Sequence, residues 1–414
     1  MKKPIDRNLL IFISFVFGMI IGFRLLAGKL TLMIDSETIL SVFGVVGISY
    51  VYLFRLLIIP ITLVSVMCGV FKMQELKNSG PIGKRTLRLY MVTTMIAILM
   101  TLFVIIVLKP GMTISGDSVN FGFVSTDLPT NVYRFLILLQ DKLMLKLIER
   151  KAEYLVISGM FLGLVLSYMK NDKIKKHFDT INFRLLQVAD LTWLITPLGV
   201  LSIVTVMFSF HGYEILFPLI KYFFVVLLIY GIQILFVYPT LLVFSAHLNP
   251  IIFLKKFRTA LKVAVRTSSS NATLPVTMDM LENQFGVSQE LSRKTLPVGA
   301  TINMDGSAIL YGSATVFLAQ LYGITLDPVT LVGIFLFSAI TSVATSGVPY
   351  IGVFMLGIVL DYVGIPLEGL FIIVGMERVL DMVSTLVNVA GDAVCTLIVA
   401  QEEEEIDLEI YSYL

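Results

Sequence analysis

The chain has 414 residues, 57% of them hydrophobic and 14% charged, with a net charge of +2. A soluble chain of this length carries roughly 25% charged residues, so a soluble globular protein is excluded, and so small a net charge offers no electrostatic footprint for nucleic acid. A mean hydropathy of +0.90 and uncharged runs at 9–23, 91–108 and 223–246, each near the ~20 residues that cross a bilayer, define an all-α polytopic membrane protein.

Hydropathy places eight transmembrane helices at 9–27, 39–70, 87–108, 153–169, 185–209, 215–246, 291–321 and 368–400. The first follows "MKKPIDRN"; its apolar run is longer than a signal-peptide core and no small-residue cleavage site follows, so it reads as an uncleaved span. The second is too long to stand upright and should tilt, with Arg55 and Pro60 along it. Lys and Arg cluster at the N-terminus, at 72–88, at 170–184 and at 255–262. An even number of spans with both termini cytoplasmic puts all four clusters inside. The basic segment "QDKLMLKLIERK" (140–151) opposes this rule and is assigned to an interfacial amphipathic helix. Residues 110–130 form a polar external loop, and the short loops suit a prokaryotic plasma (inner) membrane. Cys68 and Cys395 lie inside spans, and His177, His211 and His247 are scattered without ligand spacing. The tail "QEEEEIDLEI" reads as a solvated acidic end.

Two stretches, 251–286 and 326–364, are apolar at their flanks and interrupted at their centres by "TSSSNATLP" and "TSVATSGVP". Arms too short to cross the bilayer, meeting at small hydroxyl residues, read as two re-entrant helical hairpins. Irregular backbone at that depth survives only inside protein or beside a water-filled cavity, and paired interruptions point to a transport site. Packing-grade small residues are the plainer alternative for one such segment. Two of them flanking an acidic motif favour the site. The glycosylation match at Asn271-Ala272-Thr273 is then fortuitous.

The acidic motif is "GATINMDGSAIL" (299–310), which sets Asn303 and Asp305 between Gly299 and Gly306. In "ERVLDMVSTLVNVAGD" (377–392), Asp381, Ser384, Thr385, Asn388 and Asp392 share one helical face. Intramembrane carboxylates are costly and mark ion or substrate paths. Asp305, Asp392, Asn303 and Asn388 offer hard oxygens, joined by carbonyls freed near Gly299 and Gly306, a set that suits Na⁺ rather than Zn²⁺ or copper. Asp381 remains for a substrate ammonium, while Asn388 and hairpin backbone N–H groups suit a substrate carboxylate.

The segments "TSSSNATLPVT", "LPVGATINMDGSA", "TSGVP" and "LDMVSTLVNVAGD", with the weaker "IIPITLVSVMCGV" and "TPLGVLSI", resemble the dicarboxylate/amino acid:cation symporter family, which includes the excitatory amino-acid transporters and archaeal sodium–aspartate symporters. The resemblance implies eight spans and two hairpins in a homotrimer that works as an elevator. The scaffold would comprise 1–70 and 153–209. The transport domain would comprise 87–108 and 215–400, with hairpins at 251–286 and 326–364, helix seven at 291–321 and helix eight at 368–400, followed by a cytoplasmic tail at 401–414. On matching positions, the substrate would be held by Asp381 (ammonium), by Asn388 with Ser270 beside it (α-carboxylate), and by Ser307 and Thr385 around its side chain, with Ser269, Val348, Gly352 and Ser384 among the substrate-binding positions. One sodium site would use Gly299, Asn303, Asn388 and Asp392. A second would use Tyr90, Thr93, Thr94, Asn303 and Asp305, and a third Thr301, Met304, Ser346 and Val348.

Four departures bear on the substrate. Acidic-substrate members carry an arginine where this chain has Ser384, and Ser307 stands where threonine is commoner. A second family arginine is missing at both of its usual places, Ser268 and Met382 here. Tyr350 also stands where glycine is common. Without the first arginine a substrate's second carboxylate would be buried unpaired, so the chain reads as a sodium-coupled symporter of a small neutral amino acid such as alanine, serine or threonine. The alternative is a symporter of acidic amino acids or dicarboxylates coupled to Na⁺ or H⁺, with Arg378 or Arg266 as the relocated guanidinium. An intramembrane aspartyl protease using Asp305 and Asp392 is disfavoured, because Ala390-Gly391-Asp392 is no Gly-x-Gly-Asp motif and leaves the hairpins without purpose. The chain is therefore read as a transporter and not an enzyme, with the lipid bilayer, its substrate and its own copies as partners.

Overall fold

The computed structural model describes residues 7–28, 36–112, 152–168, 172–345 and 351–413. Among the described residues every regular element is helical. In chain order these are α1 (Arg7–Leu26), α2 (Ser36–Asn78), α3 (Pro81–Leu108), α4 (Ala152–Tyr168), α5 (Asp172–His211) and α6 (Tyr213–Ala246, with a π-helical turn at Gln233–Val237). There follow α7 (Pro250–Lys256), α8 (Arg258–Thr267), α9 (Ser270–Asn283), α10 (Gln289–Ile302), α11 (Asp305–Leu321), α12 (Pro328–Ala344), α13 (Ile351–Val363), α14 (Leu370–Glu402) and α15 (Leu408–Ser412).

The helix ends follow local chemistry. Pro81, Pro250 and Pro328 each occupy a first-turn position, where no intrahelical N–H is needed. Side-chain oxygens of Asn249, Ser269, Ser288 and Asp327 accept from first-turn N–H groups of α7, α9, α10 and α12. The π turn sits just before Pro239. Proline lacks the N–H that would bond the carbonyl four residues back and its ring crowds that carbonyl, so the helix widens there.

Among the described residues six helical stretches are long and apolar enough to cross a membrane: Leu9–Leu26, Ser36–Asn78, Pro81–Leu108, Lys175–His211, Tyr213–Ala246 and Leu367–Glu402. Large apolar side chains such as Phe17, Phe103, Phe161, Leu198, Phe224 and Phe244 point outward from α1, α3, α4, α5 and α6. So much outward apolar surface is what a hydrocarbon solvent allows. The chain is a multi-pass membrane protein.

Helix α5 packs extensively on α1 and α2, and α2 on α4. In the second half of the chain α11 is the central rod: all its residues except Gln320 are buried, surrounded by α3, α6, α12, α13 and α14. Helices α8 and α9 pack against each other across a break at 268–269, as do α12 and α13. The tip of the second pair, with Ser346 and Val348, lies outside the described residues, as do Tyr350 and the expected helix at 140–151.

The structure departs from the sequence reading in three places. The expected span at 291–321 is two helices, broken at Asn303–Met304. The second span runs on through Lys72 and Lys77 to Asn78, a helix of 43 residues, and the fifth begins already at Asp172, a helix of 40 residues. The acidic tail is no freely solvated end. Ile406 bridges Val287, Ser288 N–H donates to Glu405 C=O and Asp407 N–H to Gly286 C=O, both at 2.9 Å. Tyr411 is buried, its ring lies tilted against Phe285 with centroids 5.7 Å apart, and its hydroxyl donates to Asn249 C=O at 2.9 Å. The acidic side chains mask an apolar set, Ile406 and Tyr411, that closes over the outer ends of the first helix pair. Lys256 seals the junction: its ammonium donates to the carbonyls of Gln284, Ile410 and Tyr411 at 2.8, 2.8 and 2.9 Å.

Truncation after Glu404 should therefore lower the unfolding temperature in detergent, and Lys256→Met should remove about 1–2 kcal/mol. In the truncated chain Lys256→Met should cost less, since two of its three carbonyl partners, Ile410 and Tyr411, are already gone and only that of Gln284 remains. Thermal melts of the four variants of this cycle check it; full additivity would contradict the junction.

Candidate functional site

The break between α10 and α11 organises the site. Asn303 (φ −92, ψ 74) and Met304 (φ −107, ψ 57) leave the helical region. Helix α10 closes with Asn303 N–H donating to Gly299 C=O, and α11 opens with Ala308 N–H donating to Met304 C=O, both at 2.9 Å. In an unbroken helix the Gly306 N–H would donate to Ile302 C=O; it donates instead to Asn388 Oδ1 on α14 at 2.7 Å. The C-terminus of α10 brings carbonyl oxygens to the break, which favour a cation. The N-terminus of α11 favours an anion, and Asp305 occupies its first turn.

Two glycines let neighbouring groups close on this break. A Cβ on Gly299 would lie 2.5 Å from the Tyr90 hydroxyl and 2.7 Å from Asp392 Oδ1. A Cβ on Gly306 would lie 2.7 Å from Ser384 Oγ and still closer to the Ser384 carbonyl. Only hydrogen fits at either position.

The carboxylates sit in a continuous oxygen network. Thr94 donates to Asp305 Oδ1 at 2.5 Å and Tyr238 to Asp305 Oδ2 at 2.9 Å. Thr93 lies 3.3 Å from Asn303 Oδ1, and Asn303 Nδ2 donates to Asp392 Oδ1 at 2.9 Å. The Tyr90 hydroxyl donates to Thr295 C=O at 3.2 Å. Asn303 and Asp305 are fully buried and Asp392 is 3% exposed. Among the described residues no Lys or Arg forms an ion pair with either carboxylate. Two buried carboxylates supported by neutral donors and surrounded by hard oxygens form a donor set suited to a small hard cation.

The structure thus brings together Tyr90, Thr93, Thr94, Gly299, Asn303, Asp305, Asn388 and Asp392, which lie far apart in sequence. The remaining expected positions are placed as follows. Met304 is buried at the break, and Thr301 donates to Val298 C=O within its own helix at 2.8 Å. On α14, Ser384, Thr385 and Asn388 are buried and Asp381 is half-buried one turn outward. Ser307 is 9% exposed, Ser269 caps α9, and Ser270 is buried beside it. Gly352 faces the Tyr311 hydroxyl, which shares a 2.7 Å hydrogen bond with Thr345. Arg378, the candidate relocated guanidinium, donates through Nη1 to Ser268 Oγ, at the turn between α8 and α9, at 3.2 Å.

Sequence reasoning missed the tyrosines of α6. Tyr238 is a direct partner of Asp305, and the Tyr230 hydroxyl donates to Gly306 C=O at 3.3 Å. An aromatic residue in an apolar span reads as packing, so no local signal marks them.

Apolar spans enclosing a cation-suited oxygen cluster and a polar stripe define a membrane transporter, not an enzyme. A profile of the sodium:dicarboxylate symporter family matches residues 8–402, and the chain belongs to that family. It is 27% identical over 413 residues to the proton/sodium-glutamate symport protein of Geobacillus stearothermophilus, covering 96% of this chain and 95% of that protein. It is 28% identical over 412 residues to excitatory amino acid transporter 3 of Mus musculus, covering 86% and 79% respectively. It is 33% identical over 243 residues to neutral amino acid transporter B(0) of the same species, covering 58% and 44%. The relatives therefore include carriers named for glutamate and for neutral amino acids.

Gly299→Ala should push Tyr90 or Asp392 out of place and weaken uptake about tenfold or more, equivalent to about 1.4 kcal/mol. Gly231→Ala, where a Cβ meets open space, should leave uptake unchanged. Initial rates in proteoliposomes check the pair.

Proposed function

We propose that the chain is a sodium-coupled secondary active symporter of a small neutral amino acid, alanine-, serine- or threonine-like, in the plasma (inner) membrane with both termini cytoplasmic. The observation that carries the substrate reading is Ser384. It is 3% exposed and seated against Gly306, and it stands where, by the resemblance given above, acidic-substrate members carry an arginine. In this reading Asp381 takes the substrate ammonium and Asn388 its carboxylate. Thr385, Ser307, Ser269, Ser270, Val348 and Gly352 complete the pocket.

Sodium would be held by the Asp305 and Asp392 network with Tyr90, Thr93, Thr94, Gly299, Asn303 and Asn388, and at a third site by Thr301, Met304, Ser346 and Val348. Coupling follows from shared atoms. Asn388 Oδ1 accepts from Gly306 N–H at the break, leaving its Nδ2 for the substrate, so a cation that orders the break also orders the substrate ligand. The paired helices α8–α9 and α12–α13 would act as re-entrant hairpins of an elevator-type, eight-span homotrimer, whose transport domain moves against helices 1–70 and 153–209.

One observation favours a second reading. The Arg378 guanidinium lies within electrostatic reach of Asp381 and contacts the first hairpin's turn at Ser268, so it stands at the pocket's edge and would suit an acidic substrate, coupled to Na⁺ or H⁺.

Proteoliposomes with an inward Na⁺ gradient should accumulate serine or alanine, and replacing Na⁺ with choline should abolish it. Asp305→Ala should remove this uptake while the protein still inserts and elutes as wild type in detergent. Preferential aspartate uptake that Arg378→Gln abolishes would establish the second reading in its place.

A further inference from the structure

Helix α6 carries a buried amide that the reading above leaves without a task. Gln233 is fully buried, and neither its amide oxygen nor its amide nitrogen has a hydrogen-bond partner. A buried carboxamide unsatisfied at both ends costs stability, and such groups persist where they serve another state of the molecule. Gln233 opens the π turn, and the Tyr238 N–H donates to its backbone carbonyl. In a regular α-helix residues five apart diverge by about 140°; the π turn instead stacks Gln233 and Tyr238 on one side. The carboxamide consequently lies within interaction reach of the Tyr238 hydroxyl, short of full hydrogen-bond geometry.

Its other neighbour along the helix is Tyr230, one turn earlier. Tyr230 donates to Gly306 C=O at 3.3 Å and Tyr238 to Asp305 Oδ2 at 2.9 Å, so Gln233 stands between two phenols that end on adjacent residues of the break. Tyr238 has one proton and a second acceptor in reach, Val387 C=O at 3.0 Å. Its hold on Asp305 therefore depends on what fixes the orientation of that hydroxyl.

We propose that Gln233 is a positioning residue of the Asp305 cation site, its amide N–H engaging the Tyr238 oxygen in the cation-loaded state and keeping that hydroxyl turned to Asp305. This rests on the reading of Asp305 as a cation ligand. A cation drawn to Asp305 competes for its lone pairs and weakens the bond from Tyr238. A donor on the phenol oxygen polarises the hydroxyl and offsets that loss. Gln233 thereby sets how tightly the cation is held, without touching it.

The test is Na⁺ titration of serine uptake and of Na⁺ binding by calorimetry on the full-length protein, for Gln233→Met, Tyr238→Phe and the double variant. Methionine conserves length and volume, so a passive amide would be replaced with unchanged or raised melting temperature and unchanged Na⁺ dependence. The proposal expects the half-saturating Na⁺ concentration to rise about five- to tenfold in Gln233→Met, the loss of one hydrogen bond acting on a charged site, with maximal rate little changed. It also expects no further rise from Gln233→Met in the Tyr238→Phe background. Should Gln233→Met fold poorly, Gln233→Asn, which draws the amide back by one methylene, should show the same rise. Wild-type Na⁺ dependence in Gln233→Met, or additive effects of the two substitutions, would overturn the role of Gln233. Asp305→Asn separates the two failures: if it keeps wild-type Na⁺ dependence, the cation reading itself falls, and if it loses it while Gln233→Met does not, only this inference falls.

Discussion

The constraint on which the molecule depends is the burial of Asp305 and Asp392 in a helical body whose outer surface is built for hydrocarbon. A carboxylate at bilayer depth carries a penalty of about 3 kcal/mol even on insertion scales. Here the supporting donors are neutral: Thr94 and Tyr238 on Asp305, and Asn303 on Asp392. Hydrogen bonds of this kind hold the carboxylates in place while leaving their charge uncompensated, which is the condition a mobile cation can meet and a permanent Arg or Lys could not.

The rest of the architecture follows from keeping that network dry and accessible. Helix α11 is buried on almost every side because it carries Asp305 at its first turn, and the break before it releases backbone groups that α14 satisfies through Asn388. The same asparagine lies on the stripe with Asp381, Ser384 and Thr385. The break and the polar stripe therefore meet at one side chain, joined through a single hydrogen bond. Membership of the sodium:dicarboxylate symporter family accords with that arrangement.

Away from this centre, the first helix pair is held at both ends. Its outer ends are tied to the tail through Lys256, Tyr411 and the bridge between Val287 and Ile406, and its tip is tied to α14 through Arg378 and Ser268. Such anchoring makes α8 and α9 a fixed wall around the site, and it gives Arg378 a structural contact whatever the substrate is.

Much of this was legible in the residues themselves. Long uncharged runs define the spans, because a bilayer admits only helices whose backbone is internally bonded. The spacing of Asp381, Thr385, Asn388 and Asp392 defines a polar stripe, because an α-helix repeats every 3.6 residues. The "TSSSNATLP" and "TSVATSGVP" interruptions mark the two helix pairs, since no apolar span tolerates them without protein around it. Tertiary structure alone decided that Tyr238 and Tyr230 serve the break, that Arg378 reaches Ser268, and that an acidic tail docks on Lys256. Each of these joins residues more than sixty positions apart, and nothing local distinguishes a phenol that packs from one that donates. Sequence determines which groups must be buried together; only the packed chain decides which of them meet.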